Sequence, residues 1–182
     1  MKPIADLSRA ELGGLVAEAL LKQGIEVVLS GGSCVSIYSS ERYVSKDLDF
    51  IDVSLKSNRQ IAKAIEALGF ENQPKNSRHF AHPETHLTVE FPSAPLMIGD
   101  EHIKSVDAAS METATGRLRL LTPTDCVKDR LANYYYFGDQ QCLEQALLVT
   151  KAQPINLENL KRWHENEGQL EGFEDFVTKL GL

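Results

Sequence analysis

Apolar residues change their spacing several times along this chain. Leu12, Leu15, Val16, Ala19 and Leu20 recur at helical spacing, and Gly24 follows as a C-cap. Residues 25–29 form a continuous apolar run of the kind a buried strand shows, and Gly31-Gly32 breaks it. Ser33 then opens a short helix through Tyr38, and residues 42–45 read as a loop. From Asp47 to Val53 the period is two. Asp47, Asp49, Ile51 and Val53 fall on one face, Leu48, Phe50 and Asp52 on the other. Residues 58–68 return to helical spacing through Ile61, Ile65 and Leu68, closed by Gly69.

The stretch 73–84 is polar, holds two prolines and predicts a hairpin or loop. Residues 85–91 alternate cleanly, with Leu87, Val89 and Phe91 facing one way and His86, Thr88 and Glu90 the other. Residues 97–106 and 117–121 are weaker strand candidates. After Leu121 the pattern turns helical. Thr122-Pro123-Thr124 is a helix start with a capping hydroxyl and a proline in the first turn, and Val127, Leu131 and Tyr134 mark an apolar face. Further helices are predicted over 140–151, 157–165 and 171–180. The expected fold is therefore α/β, in the α+β sense: a mixed sheet flanked by helices over residues 1–121. A helical extension over 122–182 is expected to pack on it.

Composition narrows the setting. The chain has 182 residues, 42 % of them hydrophobic and 25 % charged, as in an ordinary globular protein. The three cysteines, Cys34, Cys126 and Cys142, form no CxxC pair, which argues against a disulfide framework and a cysteine zinc site. No signal-like apolar stretch or membrane span is visible, so a cytoplasmic protein without membrane contact is expected. The formal net charge of −7 disfavours strong non-specific nucleic-acid binding, although Arg117, Arg119, Lys128 and Arg130 could form a local patch.

Three features carry chemistry. A strand, a Gly31-Gly32-Ser33 turn and a helix start come first. Glycines let backbone approach a phosphate, the helix N-terminus offers unpaired N–H groups, and the Ser33 hydroxyl adds a donor. Asp47 and Asp49 stand two apart on a strand, so both carboxylates point to one side, as oxygen ligands for hard divalent cations such as magnesium. Glu90 is a charge on a separate, half-buried strand and needs a partner there. Each feature alone is weak. Their order, strand–GGS–helix–DxD–helix–E, suits phosphoryl-group transfer with two metal ions, the glycine turn holding a triphosphate.

The segments Leu29-Ser30-Gly31-Gly32-Ser33 and Ser45-Lys46-Asp47-Leu48-Asp49-Phe50 resemble the DNA polymerase β-type nucleotidyltransferase superfamily. Within it they are most similar to AbiEii-like toxins and other minimal nucleotidyltransferases. The resemblance covers roughly residues 25–92 and, more loosely, a helical piece in which Lys128 and Asp139 occupy places similar to a family lysine and aspartate. Where the family has arginine-aspartate, this chain has Gly138-Asp139-Gln140.

The resemblance implies a metal-dependent, ATP-type nucleotide-binding transferase. It would move a nucleoside monophosphate from a nucleoside triphosphate to a hydroxyl on a protein, RNA or small molecule and release pyrophosphate. Asp47, Asp49 and Glu90 would be catalytic and would hold two magnesium ions, or manganese. Gly31, Gly32, Ser33, Lys128 and Asp139 would bind the nucleotide. A toxin role with a cognate antitoxin is a further implication. The alternative is a non-catalytic binding module or antitoxin-like partner on the same fold.

Several residues have plainer readings. Lys128 reads as a solvated helix lysine or a phosphate ligand. Asp129 and Arg130 read as a helical charge pair, and Asp139 as a helix N-cap. Arg42 and Lys46 are loop cations beside the carboxylates. His79, His82 and His86 read as a polar hairpin rather than a zinc site, Cys34 as a packed helix cysteine, and Trp163 carries no message. Tyr134-Tyr135-Tyr136-Phe137 spans all faces of its helix, so part of it belongs in the core.

Overall fold

The computed structural model describes residues 2–73 and 76–181. Helix α1 (Arg9–Leu21) opens on a capping box: Ser8 Oγ accepts from the Glu11 amide, and Glu11 Oε2 accepts from the Ser8 amide at 2.9 Å. It leads into β1 (Val27–Ser30), whose residues are all buried. Helix α2 (Gly31–Tyr38) follows without a loop, and the chain returns through residues 39–46 to β2 (Asp47–Asp52). Asp52, on the face opposite Asp49, accepts from the Ser54 and Lys56 amides and so closes the turn after β2.

Helix α3 (Asn58–Glu66) carries a second capping box, Ser57 with Gln60. The polar stretch after it is a hairpin of β3 (Glu71–Gln73) and β4 (Asn76–Ala81), of which Pro74 and Lys75 lie outside the described residues. Strand β5 (Thr88–Glu90) completes this half.

Residues 97–106 depart from the single strand expected of them. They form two short strands, β6 (Met97–Ile98) and β7 (Glu101–His102), joined around Gly99 at φ +59°, then a 3₁₀ turn at Ser105–Asp107. Strand β8 (Ala109–Thr113) was not expected, because as a sheet edge its alternation is hardly apolar. It pairs with β9 (Gly116–Leu120).

The seven-stranded sheet has the order β3-β4-β5-β2-β1-β9-β8. It is mixed: β1 runs antiparallel to β2 and parallel to β9, and β2 runs parallel to β5. Four helices follow. Helix α4 (Pro123–Phe137) starts on Thr122, whose hydroxyl accepts from the Asp125 amide at 3.1 Å, and stops at Gly138 at φ +69°. Helices α5 (Gln140–Ala152), α6 (Leu157–Asn166) and α7 (Leu170–Leu180) complete the chain. One apolar cluster runs from Leu12 on α1 through Leu29 and Phe50 in the sheet to Trp163 and Phe176 in the last helices. No helix among the described residues is long and apolar enough to cross a membrane.

Candidate functional site

The central strands bring the acidic residues together. Parallel pairing of β2 with β5 sets Asp49 beside Glu90 and Asp47 beside Thr88, so two strands far apart in sequence present carboxylates on one face. One oxygen from each of Asp47, Asp49 and Glu90 lies within 4.8 Å of the others, and all three residues are partly buried. Burial, then the Asp47 and Glu90 charges, push the Asp49 carboxyl up to about 7, against a downward pull from Arg130. Glu90 is also raised, chiefly by burial and further by Asp47, with His79 opposing. His79 on β4 pairs with Glu90 across the sheet, Nδ1 to Oε1 at 3.0 Å. Three crowded carboxylates with so little positive charge against them form a donor set suited to a hard divalent cation.

The glycine turn abuts this cluster. Gly31 has φ +66°, and a side chain there would run into the Asp49 carboxylate. A Cβ on Gly32 would meet Ser45 Oγ at 2.9 Å and Tyr43 Cε1 at 3.2 Å. Ser30, the residue before α2, donates its hydroxyl to the Asp49 carbonyl at 3.2 Å instead of capping the helix. The first-turn amides of α2 therefore have no side-chain cap, which leaves them able to receive an anion.

The Ser33 hydroxyl, in contrast, is turned inward. It donates to the Asp47 carbonyl and accepts from Arg9 Nη1 at 3.0 Å, so its proton is engaged inside the protein. The turn presents backbone to the site, not this hydroxyl.

Lys128 and Asp139 are placed elsewhere in their local networks. Lys128 is not solvated: it is 1 % exposed, and its Nζ contacts Glu101 Oε2 at 2.7 Å and Asp125 Oδ1 at 3.3 Å. Asp139 caps α5, accepting from the Gln141 amide at 3.0 Å. The residues of α4 that wall the carboxylate cavity are Asp129, Arg130 and Asn133. Asp129 and Arg130 are a charge pair, Nη2 to Oδ2 at 2.5 Å, and they also face Gly31 and Asp49 across about 390 Å³ of cavity.

Sequence reasoning passed over Arg9, and read Arg130 only as half of a helical charge pair or patch and His79 only as part of a polar hairpin. Arg9 is 6 % exposed; besides Ser33 it holds the Ser45 carbonyl at 2.8 Å and Glu41 at 3.1 Å. It ties α1 to both the glycine turn and the entry to β2. Both arginines had a signal, since a charge on an apolar stripe needs a buried partner. Arg9 continues the Leu12, Val16, Leu20 row, and Arg130 sits three residues from Val127 and next to Leu131. His79 had none, because its partnership depends on strand pairing.

The remaining aromatics are mostly structural. Trp163 is buried and donates Nε1–H to the Ile98 carbonyl at 3.2 Å. Tyr135 packs against His164, while Phe137 is 80 % exposed. Cys34, fully buried, donates to the Leu29 carbonyl.

No family model and no curated protein matches this chain. Among solved structures it is similar to ANT(2″)-Ia in complex with adenylyl-2″-tobramycin, with a TM-score of 0.53 at 13 % identity over 88 % of this chain and 94 % of that one. A solution structure of the antibiotic-resistance factor ANT(2″)-Ia gives a TM-score of 0.49 at 14 % identity over 91 % of each chain. The first likeness is one of fold. With its seven-stranded mixed sheet flanked by helices, this chain has the nucleotidyltransferase fold.

Proposed function

We propose that the protein transfers a nucleoside monophosphate from a nucleoside triphosphate to a hydroxyl acceptor and releases pyrophosphate. The observation that carries this reading is the convergence of Asp47, Asp49 and Glu90 beside an uncapped helix N-terminus at Gly31. Neither half suffices alone. A triphosphate brings about four negative charges to a site that already holds three carboxylates, so the two can share it only with cations between them.

Asp47, Asp49 and Glu90 are the residues that would hold magnesium or manganese. A divalent cation bound there would neutralise phosphate oxygens and lower the proton affinity of the attacking hydroxyl. The α2 amides receive phosphate oxygens, and Gly31 and Gly32 leave room for that approach. Arg130 adds positive charge at the wall. The acceptor oxygen forms a bond to the α-phosphorus as the bridging P–O bond breaks and pyrophosphate leaves. In this scheme Glu90, paired with His79, takes the acceptor's proton. Roles for Lys128 and Asp139 are indirect in this scheme: Lys128 ties α4 to β7 through Glu101, and Asp139 starts α5.

Adenylyl-2″-tobramycin in ANT(2″)-Ia supports a small-molecule hydroxyl as one acceptor class. A toxin role with an antitoxin partner rests only on the resemblance of the motif residues to AbiEii-like proteins. The test is transfer of label from each α-³²P nucleoside triphosphate, with magnesium, into a cell extract and its small-molecule fraction. The wild type should label an acceptor and release pyrophosphate, and Asp47→Asn should not. Equal labelling by both proteins overturns the proposal.

A further inference from the structure

The two aspartates of β2 are not held alike. Asp49 lies opposite Ser30 on β1 and beside Glu90 on β5, so a strand flanks it on each side. Ser30 is the last residue of β1, and Asp47 outruns it, with Thr88 of β5 as its strand partner. Successive carbonyls of a strand point to opposite sides. The Lys46 carbonyl accepts from the Thr88 amide at 3.0 Å, so the Asp47 carbonyl points the other way, to the side where β1 has ended. The Ser33 hydroxyl donates to it there, in place of the amide that a longer β1 would supply.

Arg9 decides which way that hydroxyl faces. Its Nη1 donates to the Ser33 oxygen at 3.0 Å, which leaves the Ser33 proton for the Asp47 carbonyl. Nη2 of the same guanidinium donates to the Ser45 carbonyl at 2.8 Å, two residues before Asp47, and Nε donates to Glu41 Oε1 at 3.1 Å. Ser40 and Glu41 stand at φ +55° and +60°, a left-handed backbone that non-glycine residues keep only where their surroundings hold them. One buried side chain therefore grips the glycine turn, the loop after α2 and the root of β2 at once. A planar guanidinium can do this because its N–H groups are fixed in direction, whereas an ammonium is a single point.

We infer that Arg9 is a positioning residue of the cation site. Through Ser33 and Ser45 it fixes the backbone at Asp47, and with it the spacing of the Asp47 carboxylate from those of Asp49 and Glu90. Its hydrogen-bond partners are Ser33, Ser45 and Glu41, so it acts on a cation through the backbone that carries the ligand. A small hard cation demands near-ideal geometry, and groups that orient its ligands count for nearly as much as the ligands. The inference takes from the transferase reading only that these three carboxylates hold a divalent cation.

The test is manganese binding to the full chain without nucleotide, followed by electron paramagnetic resonance. Charge and position predict opposite signs. By Coulomb's law alone, removing a guanidinium near a cation site tightens cation binding. Loosening Asp47 weakens it, so Arg9→Gln should raise the manganese Kd roughly 10- to 100-fold, the range for losing a group that orients a ligand. Arg9→Lys keeps the charge but cannot reach Ser33 and Ser45 together, and should weaken binding as well. Ser33→Ala leaves Arg9 on Ser45 and Glu41 and should act in the same direction; it carries the test should Arg9→Gln not fold. Because Arg9 acts in part through Ser33, the double variant should bind more tightly than the two single effects added together.

If Arg9→Gln and Ser33→Ala lower Tm but leave manganese affinity unchanged or tighter, Arg9 is only a brace and the inference fails while the transferase reading stands. Fully additive effects would mean that Arg9 does not work through Ser33, and would overturn it too. A wild type that binds no manganese, or binds it no better than Asp47→Asn, overturns the cation site and both readings with it.

Discussion

Buried charge is handled differently at the sheet and in the helices. In the helical half, every buried ionic or polar group named above has a protein partner. Lys128 lies between Glu101 and Asp125, Arg130 grips Asp129, and His164 sits between the Leu160 carbonyl at 2.8 Å and the Tyr135 hydroxyl at 3.0 Å. At the sheet, Asp47, Asp49 and Glu90 face one another, and among the described residues no lysine or arginine is salt-bridged to them; only the His79 imidazole pairs with Glu90. Compensated charge is a structural device, because the protein supplies both halves. Uncompensated charge is relieved by taking up a proton or by a cation from solution. This contrast, more than the presence of acidic residues, separates site from scaffold.

Four outcomes would break or sharpen that contrast. The largest concerns the chemical step. Glu90→Gln keeps the shape and removes the charge, so nucleotide transfer should fall by at least about 10²-fold while tripolyphosphate binding persists. Steady-state pyrophosphate release measures it, and an unchanged kcat would remove Glu90 from the chemistry.

The second concerns compensated charge. Lys128→Met should destabilise the protein by about 1–3 kcal/mol, because Glu101 and Asp125 lose their buried partner. The magnesium-induced rise in Tm should survive, since Lys128 is not a ligand. Urea denaturation with and without magnesium separates the two effects. Loss of the magnesium response would place Lys128 within the site after all.

The third inverts the sign. Asp49 has a carboxyl raised by burial and repulsion, so in metal-free protein its contribution to stability is present below about pH 4 and is lost as pH rises toward 7. Asp49→Asn should therefore stabilise the metal-free protein, by roughly 1–2 kcal/mol at pH 8, and abolish the stabilisation by magnesium or manganese. A destabilised Asn variant would mean that Asp49 is compensated in a way the structure does not show.

The smallest is a pH effect in the helices. Burial lowers the His164 pKa, and neutral His164 fits between Tyr135 and Leu160. Stability should be unaffected by this residue above about pH 6.5. It should decline below that, by at most about 1.4 kcal/mol per pH unit, as only the unfolded chain takes up the proton. A His164→Gln variant should show a flatter slope between pH 6.5 and 5.

Much of this architecture was legible in residue order. Period-two alternation placed Asp47 and Asp49 on one strand face and Glu90 on the polar face of another, and the glycines marked a turn that only φ near +66° and a bare Cα can make. Thr122, Pro123 and Gly138 bounded α4 through local hydrogen bonds and dihedral preference, which need no partner from afar. Such features follow from neighbours a few residues apart.

The tertiary structure alone decided the rest, because it depends on which distant segments meet. Strand order set Asp49 beside Glu90 and His79 across from it. Packing turned the Ser33 hydroxyl inward onto Asp47 and Arg9, and buried Lys128 against Glu101, a residue 27 positions away. It also made Asp129 and Arg130 a cavity wall. A sequence states which charges exist. Whether each is answered from within the protein or left for a ligand is a matter of distance and burial, and those arise only when strands and helices from separate parts of the chain close around the same few atoms.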